Sequence, residues 1–144
     1  MAGYSPTIAV FDSGFGGLTV LRELLPLIPG TRFLYLGDTA RLPYGAKSRE
    51  TIARYALSSA AFLMQQGAEM LVVACNTASA LALDDLRAAL PIPVVGVIEP
   101  GVTATAPDTS VLVLATAATV QSGAYSQACA ARGLAVYELS LIHI

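Results

Sequence analysis

Residues 70–79 read MLVVACNTAS, and this stretch limits the possible folds more sharply than any other in the chain. The apolar run 70–74 passes without interruption into Cys75, Asn76 and Thr77, and then into small, helix-compatible residues from Ala78. An unbroken apolar run of strand length, bounded by polar residues, reads as a strand covered on both faces. Cys75 then stands where that strand emerges, and in open α/β sheets this rim is where ligands bind. A thiol there can meet a substrate, while Asn76 and Thr77 offer side-chain hydrogen bonds and their N–H groups point out near a helix start. A free cysteine is also commonly a small buried packing residue, so the sulfur by itself does not choose between the two roles.

The same alternation recurs along the chain. Strand-like runs are expected at 7–11, 32–36, 70–74, 94–97 and 111–115, and helix-like stretches at 17–28, 48–66, 78–90 and 119–132. The second helix shows its period best, with Ile52, Tyr55, Ala56, Ser59, Phe62 and Leu63 on one face, Ser48 as N-cap and Gly67 as stop signal. Alternating βα units with right-handed crossovers give an α/β fold, a doubly wound, mainly parallel sheet flanked by helices on both faces. Composition agrees: of 144 residues 55% are apolar and only 12% charged, against a usual charged share of about a quarter. The length suits one domain, or a piece of a larger protein, closing its core over a five-stranded sheet.

Charge and cysteine usage narrow the partners. A net charge of −2 with no basic block gives no reason to expect nucleic acid or an anionic membrane as partner. Two cysteines far apart, Cys75 and Cys129, make no disulfide scaffold, and a thiol at a strand end is best kept reduced. The start, MAGYSPTIAVFDSG, lacks a basic n-region and a long apolar core, and no stretch has the apolar length of a membrane span. The expectation is a soluble, cytoplasmic protein.

In one parallel sheet all five strand ends lie on the same edge. The residues that follow the strands are Asp12-Ser13-Gly14, Gly37-Asp38-Thr39, Cys75-Asn76-Thr77, Ile98-Glu99-Pro100 and Thr116-Ala117-Ala118-Thr119. The polar residues of a largely apolar chain therefore gather at one rim. Asp12-Ser13-Gly14-Phe15-Gly16-Gly17 is a glycine-rich turn whose N–H groups favour an anion, but its spacing is not that of a dinucleotide fingerprint. Asp12 is either a helix cap or, facing Cys75, a group that holds a substrate ammonium or steers a proton. Pro43-Tyr44-Gly45 sits in a connection longer than most βα turns, and is either a proline turn with a surface tyrosine or part of a binding loop. Thr116 and Thr119 fit helix caps as well as ligands.

Catalytic bases are scarce. Lys47 is the only lysine and His143 the only histidine, so a pyridoxal phosphate Schiff base is poorly served and no cofactor is expected. Cys129, within Ala-Cys-Ala-Ala, reads as core packing, and no cluster has metal-ligand spacing. Cys75 with Asp12 is the pair left to do chemistry.

These residues resemble the glutamate racemases, in order and spacing, over residues 8 to about 138. The resemblance rests on Asp12-Ser13-Gly14-Phe15-Gly16-Gly17-Leu18-Thr19-Val20, Gly37-Asp38-Thr39, Pro43-Tyr44-Gly45 and Ala74-Cys75-Asn76-Thr77-Ala78. It continues through Pro93-Val94-Val95-Gly96-Val97-Ile98-Glu99-Pro100-Gly101 and the threonines Thr116 and Thr119 with Ser122 and Tyr125. It implies a cofactor-independent isomerase that interconverts L- and D-glutamate for bacterial peptidoglycan, using two cysteines on opposite faces of the substrate. Cys75 resembles the first of these; Asp12 and Ser13 resemble the pair that contacts substrate and assists it. Tyr44, Gly45, Asn76 and Thr77 resemble residues that hold the two carboxylates, with Thr116 and Thr119 in the same site. A thiol pKa lowered by nearby N–H groups would serve the abstraction of a weakly acidic α-proton.

The family carries a second, similar domain with the other cysteine, and full-length members leave a homodimer open. Residues 1–138 are thus expected to be the first domain, and 139–144 (LSLIHI), which leave the family pattern, a foreign or truncated tail with His143 unrelated to the family's histidine. The chain alone is expected to be inactive. The alternatives are a non-catalytic α/β binding module, a racemase of another acidic amino acid such as aspartate, or a flavodoxin-like nucleotide domain, which lacks its phosphate fingerprint.

Overall fold

A computed structural model describes residues 5–140. Strand β1 (Thr7–Asp12) is buried along its whole length and lies between β2 (Arg32–Gly37) and β3 (Met70–Val73), which in turn pairs with β4 (Val94–Gly96). All three pairings are parallel, giving the order β2-β1-β3-β4. Alternate residues of β1 face opposite ways, as the pleat dictates. Ile8 and Val10 join Val72 and Ala74 under Val20, Leu21 and Leu24 of helix α1 (Leu18–Leu27). Ala9 and Phe11 join Leu71 and Val73 under Ile52, Ala56, Ala60 and Leu63 of helix α2 (Arg49–Gln65). Helices on both faces of a parallel sheet are the doubly wound arrangement the runs imply.

Ser48 caps α2 by accepting the Thr51 N–H at 3.3 Å, as its position suggests. The buried stripe of α2 differs from its apolar spacing: Ala53 and Ala60 turn inward while Phe62 faces solvent. Small residues let α2 lie close to the sheet, and the bulky ring is left outside. The stretch 78–90 is two helices, α3 (Asn76–Leu81) and α4 (Leu83–Ala89), broken at Ala82.

The single five-stranded sheet is not what forms. The fifth strand, β5 (Ser110–Ala115), leaves the first sheet and pairs in parallel with β6 (Ala135–Ser140) in a separate ribbon. Between β4 and β5 the chain makes a further helix, α5 (Ile98–Thr103), which carries it off the first sheet; residues 98–100, expected as a strand-end segment, are its first turn. The last helical stretch also splits, into α6 (Ala117–Ser122) and α7 (Ala124–Ala130), because Gly123 adopts a left-handed conformation at φ 66°. Val102 of α5, Cys129 of α7 and Leu134 form the centre of this second unit, with Val111, Tyr125 and Val136 against them. Cys129 is thus a packing residue, as its helical context suggests.

Leu139 and Ser140 continue β6 in register with Leu114 and Ala115. Residues 141–144, His143 included, lie outside the described residues. The outer face of the ribbon presents Leu112 and Tyr137, each 64% exposed, beside Leu114 and Leu139. Among the described residues no helix is long and apolar enough to cross a membrane.

Candidate active site

The ends of β1 and β3 face one cleft of about 490 Å³, lined by Asp12, Ser13, Tyr44, Gly45, Cys75, Asn76, Thr77 and Thr116 among others. Cys75 closely follows β3 and caps the start of α3; it is only 6% exposed. Its Sγ donates to Ser13 Oγ at 3.2 Å and accepts the Ala78 N–H at 3.4 Å. Burial pushes the thiol above its ordinary range, outweighing the hydrogen bonds from Ser13 and Ala78 that pull it down, while the nearby Asp12 charge adds to the rise. The expectation of a lowered thiol pKa is therefore corrected: the resting sulfur keeps its proton and directs it at Ser13.

Asp12 does not bond Cys75. Its Oδ2 accepts the N–H groups of Gly14 and Gly17, each at 3.1 Å, so it ties down the glycine turn between β1 and α1. Gly17 is required there, since a Cβ would fall 2.6 Å from Asp12 Cβ. The direct neighbour of the sulfur is Ser13, held at the cleft by this turn. Tyr35 reinforces it by donating its hydroxyl to Gly14 O at 3.1 Å.

Tyr44 and Gly45 reach the cleft from the long connection after β2, but not through the phenol. Tyr44 is 2% exposed, and its hydroxyl donates to Asp38 Oδ2 at 2.5 Å. Asp38 also meets Arg41 Nε at 2.6 Å; Arg41 in turn donates to Ser59 Oγ and lies over the Tyr55 ring. Burial, followed by the bond to Asp38, pushes the Tyr44 hydroxyl far above its ordinary range, so it remains a donor. Gly45 packs directly on Thr116, and a Cβ at this position would lie 2.5 Å from Thr116 Cβ.

Thr116, at the end of β5, brings the second unit into the site. Its hydroxyl lies 3.0 Å from that of Thr77 and 3.0 Å from that of Thr119, and the Thr77 and Thr119 hydroxyls are 3.1 Å apart. Three hydroxyls thus close a triangle across the junction of the two sheets. Thr119, 0% exposed, stands behind Thr77 and Thr116 and does not itself line the cleft. Asn76 lines it with an exposed side chain whose Oδ1 accepts the Tyr125 hydroxyl at 2.5 Å.

The sequence points to Asp12, Ser13, Tyr44, Gly45, Cys75, Asn76, Thr77, Thr116 and Thr119 as one group; the structure brings the first eight to the cleft and leaves Thr119 buried behind it. It assigns no role to Asp38, Arg41 or Tyr125. An Asp-x-x-Arg-x-x-Tyr pattern inside the long connection is the available signal for the first two. A larger cavity, about 630 Å³, lies away from the thiol, against Ser79, Arg87, Glu99, Gln127 and Arg132. Several of its polar groups are engaged: Arg87 with Glu99 and Val94 O, Arg132 with Val102 O, and the Ser79 hydroxyl with Val73 O.

A strand-end thiol in a hydroxyl-lined cleft of a parallel α/β fold is the setting of a known family. The sequence matches the Asp/Glu/Hydantoin racemase family over residues 18–142, and the chain belongs to that family. Within it, the chain is 55% identical to glutamate racemase of Koribacter versatilis over 141 residues, covering 96% of this chain and 48% of that one. It is 50% identical to glutamate racemase of Aquifex aeolicus, covering 90% and 52%. The solved glutamate racemase of Aquifex pyrophilus superposes with a TM-score of 0.89 at 46% identity, over 93% of this chain and 54% of that one. An aspartate racemase of Picrophilus torridus shares the fold, at a TM-score of 0.69 and 13% identity over 93% and 62% of the two chains. The chain spans about half the length of the curated relatives it matches.

Proposed function

We propose that this chain forms one face of a glutamate racemase site, in which Cys75 exchanges the α-proton of glutamate without a cofactor. The observation that carries the reading is the Cys75 thiol, set at the end of β3 in a polar cleft with its proton directed at Ser13. As thiolate, the sulfur would break the Cα–H bond and form S–H. The electron pair left on the α-carbon would delocalise into the adjacent carboxylate. A second thiol, supplied by sequence beyond this chain, would return a proton to the opposite face.

The raised thiol fits this scheme through the substrate. A glutamate ammonium beside Cys75 and Asp12 offsets the two effects that hold the proton on sulfur, burial and the aspartate charge. Ionisation is then tied to occupancy. Asn76, and whichever of Thr77 and Thr116 turns its hydroxyl out of the triangle, would donate to carboxylate oxygens, with backbone N–H groups of the Tyr44-Gly45 turn beside them. Similarity to glutamate racemases at 45–55% identity favours glutamate over aspartate. On this reading the product serves bacterial peptidoglycan, and so cell shape, from the cytoplasm.

The decisive experiment fuses this chain to the second half of the Koribacter versatilis relative and follows glutamate in ²H₂O by proton NMR. Deuterium should enter the α-position from either enantiomer, and Cys75→Ala should abolish entry from at least one. A folded chimera without α-exchange would leave a binding module and reject the enzyme.

A further inference from the structure

Helix α7 reaches the cleft through a bond from a tyrosine to an amide. Half-buried Tyr125 packs against the core of the second unit formed by Val102, Cys129 and Leu134, and sends its hydroxyl to Asn76 Oδ1 at 2.5 Å. Asn76 itself lines the cleft, next to Cys75 and Thr77. An amide has one oxygen and one NH₂, and a hydroxyl committed to the oxygen leaves the NH₂ turned the other way. Burial raises the Tyr125 hydroxyl, so it keeps the proton it donates.

We infer that Tyr125 is a positioning residue: it fixes the Asn76 amide with its NH₂ toward the cleft, where it donates to a carboxylate of the substrate. The inference rests on the amino-acid reading of the site and deepens it. Without the tyrosine hydroxyl the amide would rotate freely, and its carbonyl oxygen would then often face the anion. The ring is anchored in the unit of β5 and β6 while Asn76 begins α3 of the first sheet, so the bond also sets the amide by the placement of the second unit.

The test measures protection of Cys75 against iodoacetamide by glutamate in the chimera with the second half of the Koribacter versatilis relative, with modification of the Cys75 peptide read by mass spectrometry. Tyr125→Phe keeps the packing and removes the hydroxyl; the glutamate concentration for half protection should rise about three- to tenfold, the value of one hydrogen bond. Asn76→Ala should weaken protection by at least as much, and adding Tyr125→Phe to it should change nothing further. Asn76→Asp keeps an acceptor for Tyr125 but replaces the NH₂ by a charge, and should weaken protection more than Asn76→Ala. If Tyr125→Phe weakened protection equally with Asn76 present and in the Asn76→Ala background, the inference would be overturned, as it would by full protection in Asn76→Asp. A wild-type chimera that glutamate does not protect would overturn the substrate reading itself, and the inference with it.

Discussion

Gly45→Ala tests how rigidly the turn over the site is locked to β5. The new Cβ would fall 2.5 Å from Thr116 Cβ, 2.6 Å from its Cγ2 and 2.9 Å from its Oγ1. All three are atoms of a short, β-branched side chain whose hydroxyl is held at 3.0 Å by both Thr77 and Thr119. Thr116 therefore cannot swing aside without breaking the hydroxyl triangle, and the turn cannot lift without disturbing the Tyr44 bond to Asp38. Overpacking of this kind costs about 1–3 kcal/mol. Gly45 has no positive φ, so alanine also restricts the unfolded chain, a gain of about 0.4–1 kcal/mol. Steric conflict wins, and a net loss of about 1–2 kcal/mol should lower the urea midpoint by roughly 0.5–1 M at a slope near 2 kcal/mol per molar. Thr116→Gly removes all three opposing atoms, so Gly45→Ala should cost much less in that background. A Gly45→Ala midpoint within roughly 0.2 M of the parent (about 0.4 kcal/mol at that slope), or an equal cost with Thr116 absent, would refute the argument.

Three further outcomes are expected. Thr119→Val keeps the shape of a fully buried side chain but leaves the Thr77 and Thr116 hydroxyls one partner short; a loss of about 1–3 kcal/mol in urea unfolding is expected. Tyr44→Phe should cost less than Asp38→Ala, because the first leaves Asp38 paired with Arg41 while the second strands the buried hydroxyl and takes from the Arg41 guanidinium its carboxylate partner, leaving it Ser59 and the Tyr55 ring; equal costs would contradict the geometry. Cys75 has a folded pKa raised by burial, so its contribution to stability is complete below the unfolded value of about 8.5 and is lost as pH rises through the folded value. Urea melts from about pH 7 to about pH 10 should show wild type losing ground to Cys75→Ala only above about pH 8.5, where the unfolded thiol begins to ionise, and iodoacetamide should modify Cys75 later on the pH scale than a free thiol.

What the sequence discloses, and what it hides, follows from the range of each interaction. The buried strands β1 and β3 and the cap of α2 are local patterns, and Asp12, Ser13, Cys75, Asn76 and Thr77 follow because they sit at strand ends. The departure of β5 into a second sheet is not local: the run 111–115 is apolar like those that stay, and only the intervening α5 turns the chain away. That helix contains Pro100 and Gly101, which read as loop signals. The ionisation of Cys75 is misread from sequence because adjacent N–H groups are visible there, whereas the burial that overrides them is a property of the packed fold. The role of Tyr125 is hidden for a related reason, since its partner is 49 positions away.

The hydroxyl triangle has a consequence for ligand entry. Three threonine hydroxyls own three protons, and the three contacts among Thr77, Thr116 and Thr119 employ every one of them. No spare proton points outward, so an arriving anion can be served only if one edge of the ring opens. Thr119 is sealed in, which leaves Thr77 and Thr116 as the two that can turn. Which of them does so decides whether the anion is gripped by the first sheet or by the ribbon beside it.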